Sequence, residues 1–202
     1  MTTQTTTGTP VNGVNLQALL DAREALGNAP EAAQFTWRVQ NEWLAGTHSR
    51  TLASGFFGLG EEQERKAPHA IEADHPEQFS APDAGATPVE IVLSGLASCL
   101  TAGVATVAEN RGVRLRKVTA TIEGDMDLAG IMGIDPDVRN GFSAIRVSFD
   151  IDADATAEEI AGIVAQSQKR SAVFDIITNP TALHVSVASA GANGSLKDAD
   201  RQ

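Results

Sequence analysis

The feature that most constrains this chain is a long apolar stretch, Thr87 to Ala108, which contains the only cysteine of the sequence, Cys99. Pro88 suits the first position of a helix, and Thr87 with Glu90 completes a capping box, so a helix is predicted to begin here. Its apolar side chains leave almost no polar face. The helix must therefore be covered on all sides.

The length of this stretch also allows a membrane span. Its composition argues against that, because it is rich in Gly, Ala, Ser and Thr and has no basic flank. Small residues such as Gly95 and Gly103 instead predict the close approach of another backbone, and Gly112 is placed to end the helix. We therefore predict a core helix of a protein that does not enter a membrane.

Composition and charge exclude several classes of function. A chain of 202 residues with 42% hydrophobic residues is large enough for one well-packed domain. Its net charge of −11 disfavours binding to nucleic acid or to an anionic lipid surface. The first residues resemble no signal peptide, so a cytoplasmic protein is expected. A single cysteine and no Cys/His cluster predict no disulfide within the chain, no metal site and no cofactor.

The chain divides into four parts. Residues 1–13 are predicted to be a disordered tail, 14–34 an accessory N-terminal helix capped by Asn15, 35–189 the main domain, and 190–202 a polar tail. Alternating apolar residues and turn signals predict the elements of the main domain. In order, they are a hairpin around Ala45–Thr47, a strand at 66–73, a loop at 74–86, the Cys99 helix, strands at 115–124 and 142–152 flanking a ligand-side loop, a helix from Thr156 to Lys169, a short helix at 171–178, and a last strand containing Leu183, Val185 and Val187. This order defines an α+β fold.

Pro88, Glu90 and Cys99, within the run PVEIVLSGLASCLT, resemble the central helix of the OsmC/Ohr family. The order of elements from about 35 to 188 agrees with that family, and residues 124–142 are similar to its mid-chain insertion. The resemblance implies an α+β fold in which antiparallel sheets wrap around the long central helix. It also implies an intertwined homodimer with sites at the subunit interface.

Characterised members of that family reduce organic hydroperoxides with two cysteines, one that attacks the peroxide and one that resolves the resulting sulfenic acid. The resemblance marks Cys99 as the attacking thiol. At the position of the second cysteine this chain has Ser171, so no disulfide can form within it, and an external thiol reductant is implied.

The resemblance also implies that Arg50, in the run THSR, activates Cys99 and that Glu90 orients the arginine. On an ideal helix, Glu90 lies about half a turn out of phase with Cys99 and roughly 13 Å away along the axis, so the two cannot touch. Three alternatives remain open: Glu90 only caps the helix, Arg50 is an exposed strand residue, and Cys99 is a small buried apolar residue.

Three further polar residues are candidates for substrate binding. His48 precedes the Cys99 helix in the first hairpin, and Asp74 and His75 begin the loop before that helix. A His/Asp pair can act as a base or bind an anion, but two ligands without a spacing motif make a poor metal site. The alternative is that these are solvated loop residues.

Three functions are consistent with these residues. The leading hypothesis is a thiol-dependent reductase of organic hydroperoxides, in other words a peroxidase acting against oxidative stress, that uses Cys99 alone and an external reductant. The alternative is an OsmC-like protein without peroxidase activity that binds or acts on a small apolar molecule at the dimer interface. The third is a purely structural dimer with no small-molecule site.

Overall fold

The structure is a computed structural model that describes residues 10–187. Most of the two predicted tails, and the last residues of the predicted main domain, lie outside that range. Residues 10–13 are inside it, and they contact the main body: the backbone N–H groups of Val11 and Asn12 donate to the carboxylate of Glu109 at 2.9 and 2.6 Å. The start of the chain is thereby attached to the end of the central helix.

The accessory helix α1 spans Leu16–Asn28. Asn15 caps it as predicted, because its side-chain oxygen accepts a hydrogen bond from the backbone N–H of Ala18 at 3.0 Å. A short 3₁₀ turn, Pro30–Ala33, leads from α1 into the first sheet. None of the residues of α1 is fully buried.

The first sheet, sheet A, contains β1 (Thr36–Trp37), β2 (Gln40–Ala45), β3 (His48–Gly58) and β4 (Glu61–Ala73). All pairings are antiparallel, with β4 on one side of β3 and both β1 and β2 on the other. The predicted turn at 45–47 is confirmed, since Gly46 has a φ of +58° between β2 and β3. The strand predicted at 66–73 is the second half of a longer β4.

The central helix α2 spans Pro88–Asn110, close to the predicted bounds. The capping box is present: the backbone N–H of Glu90 donates to Thr87 Oγ1 at 3.4 Å, and the backbone N–H of Thr87 donates to Glu90 Oε2 at 2.8 Å. At the other end, Gly112 has a φ of +67° and Val113 N–H donates to the Ala108 carbonyl at 2.9 Å. Local sequence therefore sets both ends of this helix.

The second half of the chain packs on α2. Its elements are β5 (Leu115–Asp125), α3 (Leu128–Ile131), β6 (Ala144–Ala153), α4 (Ala157–Arg170) and α5 (Ala172–Thr178). β5 and β6 pair antiparallel as sheet B, and a capping box of Thr156 and Glu159 begins α4, the helix predicted from Thr156 to Lys169. The α+β prediction is confirmed.

The core lies between α2, α4 and sheet B. Val104 and Ala108 of α2 are completely buried and Ile163 of α4 is 1% exposed. Gly103 lets the two helices approach closely, because a Cβ atom there would lie 2.2 Å from the hydroxyl oxygen of Ser167. That hydroxyl donates to the Leu100 carbonyl at 2.7 Å. The predicted close backbone approach is thus made by α4.

α2 is long and apolar enough to cross a membrane, yet only 28% of its most apolar window is buried within the chain. One face of α2 packs into the core described above, as in a core helix. Sheet A covers little of the rest: it joins the helical half through a parallel bridge between Ala73 and Ala86, and none of its strands packs extensively on α2. Much of the apolar surface of α2 is therefore open in the single chain.

The predicted last strand is not formed. Residues 181–187 have no regular structure, and Leu183, Val185 and Val187 are 84%, 86% and 76% exposed. Alternating apolar residues make a strand only when a neighbouring strand supplies hydrogen bonds and an apolar surface, and within residues 10–187 this segment meets neither. The prediction was wrong for the isolated chain.

Candidate functional site

Cys99 lies on α2 opposite the first turn of α5. The hydroxyl of Ser171, the N-cap of α5, donates a hydrogen bond to Cys99 Sγ at 3.1 Å. The same oxygen accepts the backbone N–H of Phe174 at 3.1 Å. Ser171 is buried and Cys99 is half-buried. The residue that replaces the family's second cysteine is therefore in direct contact with the remaining one.

The surroundings of Cys99 lower the pKa of its thiol. Burial alone raises that pKa, and is the largest single effect. The hydrogen bond from Ser171 and those from the backbone N–H groups of Val173 and Ala172 together outweigh it, because they stabilise the thiolate. The family resemblance assigned the activation of Cys99 to a cation, Arg50. In the structure, one hydroxyl and two backbone amide groups stabilise the thiolate instead of a cation.

Glu90 performs the capping role that was left open as an alternative. Its carboxylate accepts the backbone N–H of Thr87 and the Thr87 hydroxyl, both at 2.8 Å, and these bonds lower the pKa of Glu90. It has no hydrogen bond to Arg50 or to Cys99. Glu90 thus belongs to the helix start, and the structure does not bring it to the thiol.

Arg50 lies on β3 and is paired with Glu72, directly opposite on β4. Arg50 Nε is 2.5 Å from one carboxylate oxygen of Glu72, and His48 Nε2 is 2.8 Å from the other. The hydrogen bonds from Arg50 and His48 lower the pKa of Glu72. No hydrogen bond connects either residue with Cys99 in the chain. Glu72 was missed from the sequence, although cross-strand pairing with Arg50 would have revealed it if the register had been known.

Asp74 is fully buried, and its carboxylate accepts hydrogen bonds from the protein backbone and from one side chain. Its carboxylate accepts the Thr47 hydroxyl at 2.6 Å and the backbone N–H groups of His75 and Ala84 at 2.8 and 3.1 Å. These bonds, that of Thr47 foremost, lower the pKa of Asp74. Asp74 therefore ties the loop before α2 to sheet A, and its acceptor sites are occupied by the protein itself. His75 is half-buried, with its ring edge-on to Phe79 at 6.0 Å.

A cavity of about 350 Å³ lies between α2, α5 and β6, and Cys99 itself does not line it. Leu96, one turn before the cysteine, and Phe174 of α5 line one part of it. The loop before β6 contributes Arg139, Phe142 and Ser143 to the lining; that this loop contacts a ligand stays a prediction. Within the described part of the chain, Arg139 is the one cationic side chain in the lining of this cavity. The sequence did not identify it as a candidate. Among residues 10–187, no group of three metal-binding side chains is present.

These elements resemble known structures. An OsmC-like protein from Mycoplasma pneumoniae aligns with a TM-score of 0.55 at 16% identity, covering 71% of this chain and 87% of its own. A protein from Psychrobacter arcticus, named for an osmotic stress induced and detoxification response, aligns with a TM-score of 0.51 at 13% identity, covering 68% and 85%. At such low sequence identities, the similarity establishes a shared fold and does not extend to function. No curated protein matches the sequence.

The family model described as OsmC-like protein matches residues 81–186, which is more than half of the chain. This range contains the central helix with Cys99, sheet B, and the short helix that Ser171 caps. Sequence family and fold agree with the resemblance seen in the residues around Cys99. The chain belongs to the OsmC-like protein family.

Proposed function

We propose that this protein is a thiol-dependent reductase of organic hydroperoxides in which Cys99 is the only reacting sulfur. The observation that carries the proposal is the hydrogen bond from Ser171 to Cys99 Sγ at 3.1 Å, together with the two amide groups that lower the pKa of the thiol. A thiolate, and not a thiol, attacks a peroxide. The apolar cavity that Leu96 lines, one turn before Cys99 on α2, suits the organic part of such a substrate.

The chemistry proceeds in three steps. The Cys99 thiolate attacks the peroxide oxygen that carries the hydrogen, the S–O bond forms while the O–O bond breaks, and the organic oxygen leaves as an alkoxide that takes a proton from water to become an alcohol. An external thiol then condenses with the sulfenic acid to give a mixed disulfide and water. A second thiol releases the reduced Cys99 and forms the external disulfide. Ser171 takes no part in electron transfer, since a hydroxyl forms no disulfide.

We propose in addition that the protein acts as a homodimer. Sheet A exposes large apolar side chains, among them Trp37, Val39 and Trp43 at 65%, 66% and 71%, while Val92 of α2 is 47% exposed. Exposed apolar surfaces of this kind are covered in a working protein. In the proposed dimer, sheet A of each copy packs on the open face of α2 of the other copy. Both apolar surfaces are then buried.

The test is exposure of the purified protein to cumene hydroperoxide, followed by intact mass and dimedone trapping. We expect one added oxygen on the wild type and none on Cys99→Ala, and continued peroxide consumption only when an external thiol is supplied. Oxidation of methionine without any adduct on Cys99 would refute the peroxidase. Light scattering at several protein concentrations tests the dimer independently.

The same cavity also favours a second function, in which the protein binds a small apolar molecule there and Cys99 does not react. The specific observation is that apolar side chains such as Leu96, Phe142 and Phe174 line a cavity of about 350 Å³, while Ser171 stands where a resolving cysteine is expected. Native mass spectrometry of protein purified from cells would then show a ligand, retained equally by Cys99→Ala. Loss of a bulky apolar wall, as in Phe142→Ala, would release it.

A further inference from the structure

A groove of about 580 Å³ lies between α1, the C-terminal half of α2 and α4. Its size falls within the usual range for small-molecule sites. It is separate from the cavity between α2, α5 and β6, because the two share no lining residue. Thr106, the first residue of α2 to line the groove, is roughly 10 Å further along the helix axis than Cys99. Leucines from one face of α1 form much of its apolar lining, namely Leu16, Leu19, Leu20 and Leu26.

The apolar lining remains open to solvent. Leu19 and Leu20 are 47% and 42% exposed, although they point toward the main body from a well-capped helix. α1 is nevertheless held in place, because the segment before it is hydrogen-bonded to Glu109, and Asn12 bonds the backbone of Val113 at 2.8 Å. The N-terminal helix is thus attached at a distance that leaves space beneath it.

The polar lining of the groove is positive. Three arginines, Arg23 from α1, Arg111 from the end of α2 and Arg170 from the end of α4, contribute to it, and the lining includes no carboxylate. Among residues 10–187, none of the three forms an ion pair with an acidic side chain. In a chain with 26 acidic and 15 basic residues, three unpaired arginines around one groove are a marked local reversal of charge.

Arg111 is also positioned by its neighbours. Its guanidinium donates to the carbonyl of Gly162 at 3.3 Å, and a Cβ atom at position 162 would lie 3.1 Å from Arg111 Nη1. The glycine therefore leaves room for the arginine to lie across α4. Glu159 interacts with Arg111 through space but is not part of the lining.

We propose that this groove binds a single-chain amphiphile with an anionic head, such as a medium- or long-chain carboxylate. The acyl chain lies along the leucines of α1, and the carboxylate is bound by Arg23 and Arg170 at the groove mouth, with Arg111 between them. Arginine is suited to this role because its planar guanidinium binds a carboxylate through two parallel hydrogen bonds. The net charge of −11 favours a dissolved ligand over an anionic membrane surface.

The site is distinct from the one proposed for peroxide reduction, and its test does not depend on that activity. The full-length protein is titrated calorimetrically with dodecanoate below its critical micelle concentration, and in parallel with dodecanol. We expect one dodecanoate per chain and binding to dodecanol at least about tenfold weaker, since only the carboxylate can pair with arginine.

Variants then locate the site. Arg23→Gln/Arg170→Gln should weaken dodecanoate binding by about tenfold or more, and Leu20→Gln should weaken both ligands. Arg114→Gln is the matched control, because Arg114 is an exposed arginine near the end of α2 that does not line the groove. All these positions are exposed, so circular dichroism should show an unchanged fold.

Three results would overturn the proposal. The first is an absence of dodecanoate binding, or binding that Arg23→Gln/Arg170→Gln leaves unchanged. The second is a change of oligomeric state in that double variant, which would mean that a second copy of the chain covers the groove. The third is co-flotation with vesicles of phosphatidylglycerol that requires the same arginines, which would mean that the groove faces a membrane.

Discussion

Replacing Ser171 by cysteine tests the central geometric claim about the site. Ser171 Oγ is 3.1 Å from Cys99 Sγ, whereas a disulfide requires about 2.05 Å between sulfurs. The longer bond from Cβ to sulfur closes part of that difference, and a small rotation of the side chain closes the rest. We expect Ser171→Cys to form a disulfide with Cys99 under mild oxidation.

The gain in stability expected from this disulfide follows from the length of the loop that it would close. Positions 99 and 171 are 72 residues apart. A cross-link over such a loop lowers the entropy of the unfolded chain by an amount worth roughly 4 kcal/mol at 25 °C. In a protein of this length the melting temperature should rise by up to about 16 °C, with strain in the native state reducing the gain.

Melting curves of the oxidised and reduced variant at one protein concentration measure this difference. Intact mass and thiol titration establish whether the bond is present. Cys99→Ser/Ser171→Cys is the control, since it keeps the new thiol but has no partner for it. Two free thiols in Ser171→Cys after oxidation would refute the arrangement of α2 and α5 from which the mechanism is derived.

Three shorter predictions concern the packing around the site. Ser171→Ala should raise the pKa of Cys99, because the thiolate loses its hydroxyl donor, and the pH midpoint of alkylation by iodoacetamide should move upward accordingly. Gly103→Ala should lower the free energy of unfolding in urea by about 1–3 kcal/mol, since the new methyl group collides with Ser167 between two helices. Glu109→Ala should speed hydrogen exchange in α1, because the residues before that helix lose two hydrogen bonds.

Each of these has a matched control. Gly95→Ala places its methyl group 4.0 Å from Val173, in ordinary contact, so it should not destabilise the chain and is expected to gain about 0.5–1 kcal/mol from helix propensity. If it costs as much as Gly103→Ala, the effect does not come from the collision. Thr106→Ser, seven residues after Cys99 on α2 and roughly 10 Å from it along the helix axis, should leave the alkylation midpoint unchanged. Glu158→Ala, an exposed acid on α4, should leave exchange in α1 unchanged.

The sequence predicted the elements whose causes are local. Both ends of α2 depend on residues within one turn of them, the Thr87–Glu90 box and Gly112, and these could be identified from the chain alone. The position of Ser171 opposite Cys99 followed from the family resemblance, and its distance from the sulfur agrees with it. The family range also supports the order of the elements from α2 onward.

What the sequence could not provide depends on pairing between distant segments. Arg50 was expected near Cys99, but the register of β3 against β4 places it opposite Glu72. Asp74 looked like a loop acid open to a ligand, and only the fold shows that Thr47 and two backbone amides surround it. The prediction of the last strand was wrong for a related reason. A strand needs the edge of a partner strand, and sequence periodicity does not show whether one is present.

The hydroxyl of Ser171 makes two bonds at once, and this links the chemistry of one sulfur to the folding of one helix. It caps α5 by accepting the Phe174 N–H, and it donates to Cys99. Oxygen atoms added to the sulfur would compete for the same hydroxyl and crowd the first turn of α5. We therefore expect oxidation of Cys99 to weaken the N-cap of α5. A pair of cysteines would respond to oxidation by forming a covalent bond, whereas here the expected response is a less stable helix end.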